Sequence, residues 1–159
     1  MHESSLAALQ RMRPTLRKRW EVLLRAEPVS SPLGTPEALV HLMDWTLDCV
    51  FDAIGQIPAR RRQKTRSSHD YRQPADLCEC GLNPLLAYFT TGERALLEAV
   101  FLADSPLPPL TPGERQTFAA DLQQALHSIA RVEIETLCSL CQRRPCEQVR
   151  GDEVTASAR

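Results

Sequence analysis

Four of the six cysteines stand in two close pairs, Cys78-Glu79-Cys80 and Cys138-Ser139-Leu140-Cys141. A lone cysteine is usually a small buried hydrophobe, and Cys49, in the apolar run Leu47-Asp48-Cys49-Val50-Phe51, fits that use. Two close pairs fit a different one. Four thiolates in a tetrahedron form a closed structural zinc set, with no position open to water. Cys78, Cys80, Cys138 and Cys141 are accordingly the expected ligands of one zinc ion. An iron–sulfur cluster or a reactive dithiol would draw on the same residues. Neither common ferredoxin spacing is present, and Cys-x-Cys is tighter than the commonest zinc pair. Cys146 either replaces one ligand or is a bystander.

Both pairs adjoin helix ends. Gly81 gives a turn its freedom, Asn83 is a good N-cap residue, and Pro84 suits the first helical position. The Cys78–Cys80 pair thus precedes a helix N-terminus, where free N–H groups and the helix dipole favour thiolate. That helix is expected from about Pro84 to Ala103. Leu85, Leu86, Phe89, Leu96, Leu97, Val100 and Phe101 form its inner face, and Gly92 among them either lets a neighbouring helix come close, the reading preferred, or leaves a small pocket. After the proline-rich stretch from Ser105 to Leu110, Thr111-Pro112-Gly113-Glu114 reads as a capping box. The helix it opens carries Phe118, Leu122, Leu126, Ile129, Val132, Thr136, Leu137 and Leu140 in register and ends near Arg143-Arg144-Pro145.

A short connection between these two helices favours antiparallel packing. With Asp104 level with Pro112, equal rise per residue brings Asn83 level with roughly residue 133. Extended chain upstream of Asn83, at up to about 3.3 Å per residue, reaches the level of roughly residues 136 to 142. Cys138 and Cys141 lie there, three apart on one helix face. The N–H groups at the helix start, with Arg143 or Arg144, would then surround the sulfurs.

The upstream half completes the frame. A first helix is expected from Ser4 or Ser5 to Ala26, with Leu6, Leu9, Leu16, Trp20, Leu23 and Leu24 at helical spacing. Pro14 either kinks it or marks its true start. Glu27 to Gly34 reads as a loop. Thr35 and Pro36 open a second helix whose apolar face is Leu39, Leu42, Met43, Thr46, Val50 and Ile54; Gly55 and Pro58 end it. His41 and Trp45 lie toward its edge. The expected fold is all-α, an antiparallel bundle of about four helices with the four-cysteine site at one end. Residues 1–146 form the bundle domain, 58–77 a basic loop within it, and 147–159 a polar tail.

The chain of 159 residues carries a formal net charge of −1, so no global field argues for nucleic acid or an acidic membrane. The run Arg60-Arg61-Arg62-Gln63-Lys64-Thr65-Arg66 lacks interleaved aromatics and reads as solvated linker, so no specific nucleic-acid partner is expected. No apolar stretch approaches the roughly 20 residues that span a bilayer. The start, Met1-His2-Glu3-Ser4-Ser5, lacks the order of a secretory signal, and a cytoplasmic location is expected. In a reducing compartment, paired cysteines read as metal ligands or redox groups before disulfides.

The segment Leu16-Arg17-Lys18-Arg19-Trp20, followed by the Leu39-to-Ile54 helix, resembles the helical N-terminal sensory domains of RsbR-type stressosome proteins. The likeness covers about a third of the chain and implies an all-helical sensory or regulatory module. Together with the cysteine pairs, it leads to a non-enzymatic helical module stabilised by zinc that binds a protein partner or small ligand. The alternative is a redox or metal sensor whose cysteine cluster responds directly. Asp, Glu and His form no convergent set of the kind an enzyme needs.

Overall fold

The computed structural model describes residues 2–29, 32–56, 83–102 and 107–140. The expected basic loop at 58–77 and the tail at 147–159 lie outside them. The described residues are all-α, without a strand. Five helices carry the fold: α1 (His2–Arg11), α2 (Arg13–Ala26), α3 (Met43–Gly55), α4 (Leu85–Phe101) and α5 (Pro112–Leu140). No described helix is long and apolar enough to cross a membrane.

The expected first helix is two. The break falls at Met12, and Pro14 sits in the first turn of α2. Proline has no N–H for the carbonyl of Gln10, and its ring crowds that carbonyl, so α1 stops where the proline demands. Arg13, at the break, then ties α2 to α3. Its guanidinium donates to Asp44 Oδ1 at 3.2 Å, to the Asp44 carbonyl at 2.7 Å and to both carboxylate oxygens of Asp48, at 2.6 and 3.0 Å. Asp48 is held below the ordinary carboxylate range, first by the hydrogen bond from Arg13. The expected second helix is also interrupted. Pro36–Leu39 make one α-turn, Val40–Leu42 a tighter 3₁₀ turn, and α3 follows. Thr35 precedes this run without a side-chain cap bond.

The capping box at the start of α5 forms as the residues suggest. The Glu114 N–H donates to Thr111 Oγ1 at 3.3 Å, and the Thr111 N–H donates to Glu114 Oε2 at 2.8 Å. Helix α4 packs on both α2 and α5, and α5 also packs on α3. The core runs from Leu9, Leu16 and Trp20 through Met43, Leu47 and Val50 to Tyr88, Phe89, Leu96, Phe118, Leu122, Leu126 and Ile134. Five residues expected to face inward do not. Leu42, Phe101, Val132, Thr136 and Leu140 are exposed, because they lie toward the ends of their elements or on flanks that no described neighbour covers. In their place small residues are buried: Ala95 and Ala99 on α4, Ala119, Ala125 and Ala130 on α5.

Gly92 is where α2 and α4 meet. A Cβ built there would stand 2.6 Å from Trp20 Cε2 and 2.9 Å from Cη2. The indole cannot swing aside cheaply, because Trp20 is buried and its Nε1–H donates to the Tyr88 carbonyl at 3.0 Å. Alanine at a helix-interior glycine gains about 1 kcal/mol of propensity, whereas overpacking of this severity costs about 3 kcal/mol. Gly92→Ala is therefore expected to lower stability by about 2 kcal/mol. Urea unfolding followed by circular dichroism measures it, and an unchanged or raised midpoint would show that Trp20 has room to move.

Candidate functional site

Asn83 is the residue on which the candidate site is built. It precedes α4, is buried, and uses both ends of its amide. Oδ1 accepts from the Leu85 N–H at 2.9 Å, which caps the helix. Its backbone carbonyl accepts from the Leu86 N–H at 3.1 Å. Nδ2 donates across to α5, to the Ile134 carbonyl at 3.2 Å and to Cys138 Sγ at 3.2 Å. The expected level of Asn83 against α5, near residue 133, is thus met within a turn. Cys138 is half-buried and packs against the core.

Of the four expected ligands, the structure places Cys138. Cys78, Cys80 and Cys141 lie outside the described residues, as do Cys146, Arg143, Arg144 and the run from Arg60 to Arg66. Among the described residues no group of three or more His, Cys, Asp or Glu is arranged to hold a metal ion. Cys49 lies on α3, partly buried, and its thiol is pushed above its ordinary value by burial and by the negative charges of Asp52, Asp48 and Glu133. Such a thiol stays protonated at neutral pH and is a poor nucleophile.

A second polar bridge joins α4 and α5 further along. Gln123 Nε2–H donates to Glu93 Oε1 at 2.7 Å, and His127 Nε2 lies 3.0 Å from Glu93 Oε2. These bonds, the one with His127 foremost, hold the Glu93 carboxyl below its ordinary range against an opposing effect of burial. Residue 83 faces 134 and 138, and residue 93 faces 123 and 127, so the two helices run antiparallel. The level argument that places Asn83 also places Glu93 opposite residue 123. That was the available signal for a cluster the sequence reading missed. Both carboxylate oxygens are engaged within the seam, an arrangement that holds two helices together.

A third polar contact lies in the core. The hydroxyls of Thr46 and Tyr88 are 2.8 Å apart, and Thr46 also donates to the Leu42 carbonyl at 3.0 Å. Tyr88 must then be the donor to Thr46, since a threonine has one hydroxyl hydrogen. Burial raises the Tyr88 phenol far above its ordinary value, consistent with a neutral donor.

No family model matches the chain, and no curated protein or solved structure matches it.

Two outcomes follow from these environments. Alkylation of Cys49, in a chain whose other cysteines are serine, should be slow at neutral pH in the folded state and accelerate on unfolding. Equal rates would show that the thiol is not protected. Glu93 has a lower pKa folded than unfolded, so its contribution is complete above the ordinary carboxylate range and is lost as pH falls through the folded value. Glu93→Gln should therefore flatten the acid limb of the stability profile. A limb of unchanged slope in urea titrations across acid pH would mean that the bridge contributes nothing.

Proposed function

We propose that this chain is a non-enzymatic helical module, an antiparallel bundle of about four helices closed at one end by a zinc ion on Cys78, Cys80, Cys138 and Cys141. Its role in this reading is regulatory, exercised by binding a protein partner or a small ligand. The observation that carries the proposal is the bond between Asn83 and Cys138. It brings the α4 start beside the last turns of α5, where the spacing of the cysteine pairs requires it. Cys80 is three residues from Asn83, a reach of about 10 Å at most, and Cys141 is one helical turn from Cys138 in sequence. The donor set suits the ion: sulfur ligands without a carboxylate among them favour zinc over hard cations. A bound zinc would supply cross-linking of two chain segments, and its binding free energy would add to folding. The resemblance of Leu16–Trp20 and the Leu39-to-Ile54 segment to stressosome sensory domains supports the regulatory part of the reading.

Protein purified anaerobically should carry about one zinc per chain. Cys78→Ser, Cys80→Ser, Cys138→Ser and Cys141→Ser should each lower metal content and stability. Pairs should be strongly non-additive, because the site fails as a unit. Cys49→Ala should leave the metal content unchanged. Elemental analysis without stoichiometric metal would overturn the zinc site. A brown protein containing iron would instead favour the cluster form, in which the cysteines act as a sensor.

A further inference from the structure

We infer that the outer face of α3, with Trp45 at its centre, is a docking surface for a basic segment of a partner protein, one that carries arginine or lysine beside apolar residues; this rests on the partner-binding part of the reading above and not on the metal. Trp45 is 48% exposed, and Leu42, one turn before it, is 39% exposed. With half-buried Cys49 one turn after, they stand at the three- and four-residue spacing that puts side chains on one helix face. The core does not need this face, because Met43, Leu47, Val50, Phe51 and Ile54 already bury the opposite one. Tryptophan is enriched at the energetic centres of interfaces, and its ring face attracts a guanidinium or ammonium.

Charge decides the occupant. Toward α2, Arg13 and Arg17 pair with Asp44 and Asp48, so those charges offset one another. Asp52, exposed on α3, and half-buried Glu133 on α5 are left over; no described basic residue pairs with either. Both lie near the strip, since the Cys49 thiol is pushed above its ordinary value by burial first and then by Asp52, Asp48 and Glu133. The surplus beside Trp45 is therefore negative, from α3 and from α5 alike. A cationic segment would offset it, and an acidic one would add to it. A second copy docking through the same strip would bring its own Asp52 and Glu133 against these, a like-charge juxtaposition that disfavours the wrong partner. The surface is also held in shape before anything binds. The bonds from Arg13 to Asp44 and Asp48 grip α3 on either side of Trp45 in the chain, which leaves less to be ordered on binding.

The probe is a short helical peptide of leucine and arginine, labelled for fluorescence anisotropy, against a twin with glutamate in place of arginine. The native full chain should bind the arginine peptide, less tightly as salt rises, and should not bind the twin. Binding should shield Trp45 from acrylamide quenching; Trp20 is buried and adds little to that change. Trp45→Ala should weaken binding about 10-fold or more. Asp52→Asn combined with Glu133→Gln should weaken it and flatten its salt dependence, with helix content kept by circular dichroism. Native chain that does not bind the arginine peptide, or binds the glutamate twin as tightly, would overturn the inference. So would binding that survives Trp45→Ala, which would leave a partner-binding module whose surface is elsewhere. Concentration-dependent sedimentation lost in Trp45→Ala would assign the strip to a second copy. Trp45 shielded in the free monomer, and opened to quencher by Arg60→Gln, Arg61→Gln and Arg62→Gln together, would assign it to the chain's own basic run. Either result overturns the partner. The metal reading stands or falls separately, on elemental analysis.

Discussion

Trp20 fills the space that a side chain at position 92 would occupy, and much of the helix arrangement is tied to that substitution of indole for Cβ. The ring lies 4.6 Å, centroid to centroid, from Tyr88, and its N–H satisfies the Tyr88 carbonyl. Tyr88 in turn stacks edge-on against Phe89 and donates to Thr46 on α3. One aromatic node therefore joins α2, α3 and α4. Polar groups buried this deeply are costly unless paired; here the indole N–H, the phenol and the threonine hydroxyl all have partners. A node so fully satisfied fixes one arrangement, where an aliphatic seam would tolerate several.

With α4 held against α2 on one side, the position of α5 on its other side is a question of register. Leucine and alanine stripes discriminate weakly between alignments one turn, about 5.4 Å, apart. Polar bridges discriminate strongly, because a slipped partner leaves a donor or carboxylate unpaired. Asn83 with Ile134 and Cys138, and Glu93 with Gln123 and His127, are two such bridges ten residues apart, one just before α4 and one within it. Together they set both the level and the direction of α5. Arg13 does the corresponding work between α2 and α3 at the surface, where the ion pairs are worth less because water competes.

Local chemistry was legible in the sequence at the Thr111–Glu114 capping box and the Asn83 cap, which follow from residue type and position. Thr35 stands in an equally good position before Pro36 and makes no side-chain cap bond, and the close approach at Gly92 depends on Trp20, far away in the chain. The level of Asn83 on α5 followed from helix rise alone. Other features depend on what covers a helix, and periodicity is silent about that. Phe101 and Leu140 continue their stripes faithfully but are the last residues of their helices and stand exposed. Tyr88 falls on the inner face of α4, yet its hydroxyl disguises a core residue, since only the facing Thr46 shows that the polar tip is satisfied. The break at Met12 was half legible: Pro14 announces it, but the clamp of Arg13 on Asp44 and Asp48 is a contact across more than 30 residues. Of the proposed metal site, the sequence offers the candidate ligands, and the structure describes one of them, Cys138, with its amide partner.

The end of α5 explains why a cross-link there would matter to this fold. Ile134 is the last fully buried residue of the helix; beyond it Thr136, Ser139 and Leu140 are exposed, and Leu137 and Cys138 are half-covered. Thr136 and Ser139 turn their hydroxyls back onto the carbonyls of Val132 and Thr136, a local bond that is neutral to unfavourable for helix stability. A helix end with so little burial frays readily, since helical stability in proteins comes chiefly from packing of a buried face. The Asn83 amide reaches across to this turn from just before α4. In the four-thiolate reading, metal bonds would hold the turn that packing leaves loose, at the point where the amide already aligns it. The far end of the same helix needs no such device, because its first turn is closed by the capping box and Phe118 enters the core one turn later.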